Sequence, residues 1–168
     1  SFTFILPDLK SGVYSWEKMI PFIVKKRGPT DIVIVCPTNT QHVYNSSGGK
    51  SLYEYNSTNK QRAYIVSLQR PIGDIGFTNF FLPFLNWLIN TNYSYKLISD
   101  MDLDYFQEIE NASTLAVIGH SEYWSRKARI NFDRFVEEGK NAMILSGNTM
   151  WWQVRYSEDM TKIICYKD

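Results

Sequence analysis

The chain has 168 residues, 44% of them apolar, and a net charge of +1, which suits one domain with a substantial core. The near balance of charge and the lack of a basic stripe argue against a nucleic-acid-binding role, and the apolar content argues against a disordered tail. No apolar run approaches the length of a membrane span, so we expect no membrane partner.

The first part of the chain predicts strands. Residues 2–6 have the pattern of a strand that is already under way at the first residue. We therefore expect residues 1–168 to form a single α/β domain cut from a longer, multidomain protein. A second strand-like run covers 19–24. The continuous β-branched run at 31–36 is typical of a strand buried on both faces of a parallel sheet.

The middle of the chain begins with a long polar stretch at 37–55, which we predict to be a functional loop because it also carries aromatic residues and a His. Another strand is expected at 63–68. Apolar residues then repeat at helical spacing and predict a helix whose apolar face belongs to the core. These residues are Phe80, Phe81, Phe84, Leu85, Leu88 and Ile89.

The second half alternates strands with helices. Strands are expected at 93–98, 114–118 and 141–145, with a last one near 163–166. Ser125 is placed to cap a helix that ends at Gly139. This alternation predicts an α/β fold with a mostly parallel sheet flanked by helices.

Three predicted loops leave the carboxyl ends of buried strands, at 37–55, 119–125 and 146–155. Right-handed crossovers bring such loops to one rim of a parallel sheet, where open α/β sheets bind ligands. The candidate site residues on this rim are His42, Tyr44, Tyr53, His120, Glu122, Asn148 and Arg155. Trp151 is expected in the core and Trp152 at the rim.

Several chemistries fit these residue types. Residues 119–123 begin like a G-x-S-x-G nucleophile elbow around Ser121, but Tyr123 replaces the last Gly and weighs against it. The two His residues do not have the spacing of a zinc motif. Glu122 and Tyr phenolates could instead hold a trivalent cation, for which oxygen ligands favour iron(III) over zinc. His120 and Glu122 could also act as an acid/base pair without a metal.

Five blocks of the chain, taken together and in order, resemble the N,N-dimethylformamidase large-subunit-like domain family. The blocks lie at 37–45 (Pro-Thr-Asn-Thr-Gln-His-Val-Tyr-Asn), 48–53 (Gly-Gly-Lys-Ser-Leu-Tyr), 70–71, 119–125 (Gly-His-Ser-Glu-Tyr-Trp-Ser) and 147–152. The resemblance implies a flavodoxin-like fold similar to that of class I glutamine amidotransferases.

The resemblance also implies a mononuclear iron(III) site with two tyrosinates and one glutamate. The matching positions are Tyr14, Tyr44 and Glu122, while His120 and Asn148 match residues that line the family's active site. Such an iron acts as a Lewis acid on an amide carbonyl. His120 would then move protons, and Asn148 would hydrogen-bond the carbonyl oxygen.

The sequence departs from the family pattern in two places. The characterised amidase also uses a carboxylate further downstream than Asp168, and the segment between Tyr14 and Ile20 is shorter here. Tyr53 is expected to be a pocket wall. Arg70 is expected either to pair with an acidic residue or to bind a substrate carboxylate.

The sequence therefore predicts an iron-dependent hydrolase that acts on a C–N amide bond of a small substrate. Two alternatives remain open. One is a non-catalytic domain that binds a small ligand or carbohydrate at the same rim, and the other is the metal-free acid/base hydrolase. Expected partners are a small-molecule substrate and other domains of a longer chain, with a homo-oligomer left open.

Overall fold

The structure is a computed structural model that describes residues 7–16, 20–70 and 77–167, so the strand expected at 2–6 lies outside the described residues. The elements used below, in chain order, are β1 (Gly12–Trp16), β2 (Ile20–Val24), β3 (Ile32–Cys36), α1 (Thr38–Tyr44), β4 (Ile65–Ser67), α2 (Leu82–Ile89), β5 (Tyr95–Ser99), β6 (Thr114–His120), β7 (Tyr123–Ser125), α3 (Arg126–Glu137), β8 (Asn141–Gly147), β9 (Trp152–Tyr156) and β10 (Lys162–Ile164).

The central sheet has the strand order β5-β3-β6-β8, and every pair in it is parallel. This confirms the predicted α/β class with a mostly parallel sheet. The chain passes from β3 to β5 on one side and then crosses to β6 on the other side of β3. The order therefore reverses between β3 and β6, which is the point where open α/β sheets have their ligand crevice.

Both faces of the central sheet are covered, as its unbroken apolar strands require. One face packs Val33, Val35 and Leu115 against Phe132 and Phe135 of α3. On the other face, the next residues along the same strands meet α2 and the antiparallel β1–β2 hairpin. The result is a three-layer arrangement. None of the helices in the described ranges is long and apolar enough to cross a membrane.

The apolar face predicted for residues 80–89 is only partly correct. Phe81, Leu85 and Leu88 are buried, whereas Phe80 is 61% exposed and Ile89 is 55% exposed. The buried residues follow one another at four- and three-residue intervals, which is the spacing of a single helix face. Phe80 and Ile89 lie off that face, so α2 buries a narrower strip than the composition suggested.

A second sheet has the order β4-β10-β9-β7, with β7 parallel to β9 and the other pairs antiparallel. It has its own apolar core, to which Val43, Leu52 and Tyr123 contribute. β7 begins three residues after β6 ends, so residues 121–122 join the two sheets.

The prediction of a loop over the whole of 37–55 was wrong, because Thr38–Tyr44 form helix α1. The helix gives no apolar periodicity because its polar residues are buried between the two sheets. Asn39, for example, donates from its side chain to the Tyr123 carbonyl and to the Tyr156 hydroxyl. Tertiary hydrogen bonds therefore replace the hydrophobic stripe that normally marks a helix.

The predicted cap of α3 is confirmed. The Ser125 hydroxyl accepts a hydrogen bond from the Ala128 amide and also contacts the Asp104 carboxylate. We expect Ser125→Ala to lower the free energy of unfolding by about 1–2 kcal/mol, because a helix amide loses its acceptor. Urea denaturation measures this. Ser46→Ala, in an exposed loop, is the control, and equal stability of the two variants would contradict the prediction.

Candidate functional site

Glu122 is the centre of the site. It follows β6 at the crevice between β3 and β6, and only 4% of its surface is exposed. Its amide donates to Thr40 Oγ1 of α1 at 3.0 Å, and its carbonyl accepts from the Trp152 amide of β9 at 3.0 Å. The backbone of this residue is thus fixed from both sides, and its carboxylate has little freedom to move.

The turn that delivers Glu122 depends on Gly119. This residue has φ +87°, a conformation that side chains strongly disfavour, and it bends the end of β6. Ser121 then points inward, where it is fully buried and its hydroxyl meets Trp124 Nε1. A nucleophile must be reachable by substrate, so Ser121 has a structural role in this turn.

Two phenols converge on the Glu122 carboxylate. The Tyr44 hydroxyl donates to Oε2 at 2.8 Å, and the Tyr53 hydroxyl lies 3.1 Å from Oε1 and 3.3 Å from Oε2. The two rings stack with their centroids 4.1 Å apart. Tyr44 ends α1, and Tyr53 lies in the loop that follows it. Both phenols therefore come from the stretch 37–55, which the sequence analysis predicted to be a functional loop.

His120 completes this cluster. Its Nε2 lies 3.2 Å from Glu122 Oε2, and its ring centroid lies 5.6 Å from that of Tyr44. The His120 side chain is 24% exposed, compared with 5% for that of Glu122. Solvent and a ligand can therefore reach His120 more easily than Glu122.

The surroundings of the cluster favour neutral phenols. Burial raises the pKa of Tyr44, and its hydrogen bonds with Tyr53 and Glu122 raise it further. Burial likewise raises the pKa of Tyr53 and of Tyr123, whose hydroxyl lies 2.5 Å from that of Tyr53. A bound cation would reverse this effect, because it offsets the charge that burial disfavours.

The structure brings Tyr44, His120 and Glu122 together but places Tyr14 elsewhere. Tyr14 is in the β1–β2 hairpin, where its hydroxyl donates to the Lys10 carbonyl at 2.9 Å and its ring stacks on Phe22. None of its described contacts is with the Glu122 cluster. The second phenol at the carboxylate is Tyr53, which the sequence suggested only as a pocket wall.

Asn148 follows β8 at the same rim of the central sheet, with an exposed side chain and φ +50°. Arg155 lies in β9. The expectations for the two neighbouring tryptophans were only half right, because Trp151 is 69% exposed whereas Trp152 is partly buried. Trp151 lies in the turn before β9, where the sheet does not cover it.

Arg70 joins the end of α1 to the loop that contains Tyr53. Its guanidinium donates to the carbonyls of His42, Ser47 and Lys50 at 2.6, 2.8 and 3.0 Å. Among the described residues these backbone acceptors give it a structural role, and its two expected roles stay predictions. His42 is buried, and burial together with the nearby Arg70 charge lowers its pKa to about 4.

Asp100 lies behind the Glu122 turn and is 2% exposed. Its carboxyl group accepts from the Asn39 amide at 2.7 Å, from Thr38 Oγ1 at 3.3 Å and from Ser121 Oγ at 3.4 Å. Burial raises the pKa of Asp100 to about 7, although these hydrogen bonds act in the opposite direction. It therefore links the start of α1 to the turn that holds Glu122.

The donor set has an unusual composition for a metal site. Within the described part of the chain, no group of three or more His, Cys, Asp or Glu side chains is placed to hold a metal ion. The Glu122 cluster instead offers one carboxylate, two phenol oxygens and one imidazole. Phenol and carboxylate oxygens are hard donors, which suit a trivalent cation better than zinc.

Comparison with known proteins agrees with the resemblance that the five sequence blocks indicated. A sequence-family profile described as "N,N-dimethylformamidase beta subunit-like, C-terminal" matches residues 4–168. No curated protein matches the chain.

Proposed function

This chain belongs to the family of N,N-dimethylformamidase beta subunit-like C-terminal domains, and we propose that it carries an iron-dependent centre that hydrolyses the C–N bond of a small amide. The observation that carries this proposal is the convergence on Glu122. Two phenol oxygens and one imidazole nitrogen lie within 3.3 Å of its buried carboxylate. The family's name points to the same bond type.

The residues of the cluster fit iron(III). Tyr44, Tyr53 and Glu122 would hold it through oxygen, the donor type that this ion prefers. The same three side chains already meet one another, so binding needs no large rearrangement of the chain. The resemblance in sequence implied Tyr14 as the second phenol, whereas the geometry favours Tyr53.

When bound, the iron would supply Lewis acidity to the amide carbonyl and lower the pKa of a water molecule. The protein's own groups would do the rest. His120 Nε2 is accessible and can accept a proton from water and deliver it to the departing amine. Asn148, at the same rim, would donate a hydrogen bond to the substrate carbonyl oxygen.

The fold supports this location for the site. Numbered along the chain, the four central strands lie in the order 2-1-3-4, which is the beginning of the flavodoxin-like order. We therefore propose a flavodoxin-like, glutamine amidotransferase-like relationship, with the ligand at the crevice between β3 and β6. The family is named for the C-terminal part of a subunit, so we also propose that other domains of a longer chain, and a possible second copy, complete the working protein.

The phenols provide a direct test. We expect the protein, reconstituted with iron(III), to show a visible tyrosinate-to-iron charge-transfer band and to hydrolyse small N-alkyl amides such as N,N-dimethylformamide. Tyr44→Phe and Tyr53→Phe should each weaken and shift the band, since each removes one phenolate from the metal. Absorption spectra and metal analysis measure both effects.

Tyr14→Phe is the matched control, because it removes a phenol that does not contact the cluster. It should keep the band of the unchanged protein. If the protein binds no iron on reconstitution and stays colourless, the proposal is overturned. Loss of the band in Tyr14→Phe, with Tyr53→Phe unaffected, would move the second phenol to Tyr14.

A second function is favoured by one contact. His120 Nε2 and Glu122 Oε2 lie 3.2 Å apart, which is the distance of an acid/base pair that can share a proton. A metal-free hydrolase of this kind would keep its activity in the presence of a strong iron chelator. The iron-dependent enzyme would lose it.

A further inference from the structure

Three aromatic side chains surround the ammonium group of Lys167. Its Nζ lies 3.4 Å from the ring centroid of Tyr53, 5.0 Å from that of Tyr123 and 5.5 Å from that of Trp152. All three distances fall within the range of cation–π attraction. We propose that these three rings, here called the aromatic cage, form a binding site for an alkylated ammonium group, and that Lys167 occupies it in this structure.

The walls of the cage do not depend on Lys167. The Tyr53 hydroxyl is held by Glu122 and by the Tyr123 hydroxyl. Tyr123 is fully buried, and the Trp152 backbone is bonded to the Glu122 carbonyl. The rings therefore keep their positions when the lysine side chain leaves, so the cage is preorganised for a ligand.

The cage suits an alkylated ammonium better than a lysine. A lysine ammonium carries three N–H donors. Among the described residues, none of the hydrogen bonds or ion pairs involves Lys167 Nζ, and the faces of three rings lie within 5.5 Å of it. A quaternary or methylated ammonium has fewer N–H groups or none, so it gains the same attraction to the rings without leaving donors unsatisfied.

The lysine is also well placed to leave. Among the described residues, Lys167 is hydrogen-bonded through its backbone, where Arg62 Nη2 donates to the Lys167 carbonyl at 2.7 Å. The described contacts of the side chain are those with the three rings. The Tyr53 phenol that forms one wall bonds Glu122, whose carboxylate supplies negative charge near the cage and favours a cationic occupant.

Choline and 3,3-dimethylbutan-1-ol test the proposal, because they share a shape and differ in charge. Isothermal titration calorimetry is performed on the metal-free protein with a chelator present, so that the result is independent of the proposed iron site. We expect choline to bind Lys167→Ala at least about ten-fold more tightly than it binds the unchanged protein. The neutral alcohol should bind neither. Equal binding of both probes, or no binding of choline to Lys167→Ala, would overturn the proposal.

Two further variants separate the cage from other effects. Trp152→Leu, added to Lys167→Ala, should weaken choline binding about ten-fold because one aromatic wall is lost. Lys162→Ala removes an exposed lysine of β10 and should leave choline affinity as in the unchanged protein. Unchanged affinity on loss of Trp152 would refute the cage.

Discussion

Glu122→Gln is expected to remove bound iron and to lower the rate of amide hydrolysis by about a hundred-fold or more. The substitution keeps the size of the side chain but removes the negative charge that the proposed cation needs. The metal contributes several kcal/mol of charge stabilisation in such reactions, and each 1.4 kcal/mol is a factor of ten in rate. The new amide group also faces phenols that at present donate to both carboxylate oxygens.

The measurement combines metal content with steady-state hydrolysis of small amides. Glu137→Gln, on the exposed face of α3, is the matched control and should leave both unchanged. If the unchanged protein hydrolyses amides without bound iron and Glu122→Gln loses this activity, the result would favour the metal-free acid/base pair of His120 and Glu122. Ligand binding without any hydrolysis, in the unchanged protein as well as in the variant, would favour the non-catalytic domain.

The second large effect is expected on stability, from the buried carboxyl group of Asp100. Its pKa is raised from 3.8 to about 7 in the folded protein, so the folded state holds this proton more tightly than the unfolded chain does. The stabilising contribution of the proton is complete below about pH 4 and is lost as the pH rises to about 7. A shift of this size corresponds to on the order of 4 kcal/mol.

Asp100→Asn removes this titration while keeping a similar shape and one acceptor oxygen. We expect the free energy of unfolding of the unchanged protein, relative to that of the variant, to decrease as the pH rises from about 4 to about 7. Urea denaturation at a series of pH values measures the difference. Asp8→Asn, at an exposed position, should run parallel to the unchanged protein. Parallel curves for Asp100→Asn would contradict the prediction.

The parallel sheet could be predicted because its strands are continuous apolar runs. Runs such as 32–36 and 115–118 have no polar residue to place on a solvated face, which leaves a sheet covered on both sides. The carboxyl-end rule then placed Tyr44, His120 and Glu122 on one rim, and the structure brings these three together. This part of the site followed from topology and needed no tertiary detail.

Helix α1 and the place of Tyr53 could not be predicted in the same way. Residues 38–44 carry no helical apolar pattern, because the helix is stabilised by hydrogen bonds to residues far away in the chain. The position of Tyr53 depends on Arg70, which fixes its loop through three backbone carbonyls. One available signal was the presence of three tyrosines in the single polar stretch 37–55, which follows a buried strand.

The backbone of Glu122 has a consequence for how this protein would lose its activity. Its amide is bonded to α1 and its carbonyl to β9, so it lies on the line along which the two sheets are joined. A fluctuation that separates the two sheets breaks both backbone hydrogen bonds of Glu122. It also moves the Tyr44 and Tyr53 phenols away from the carboxylate. We therefore expect heating to disrupt the site and to separate the two sheets in one cooperative event.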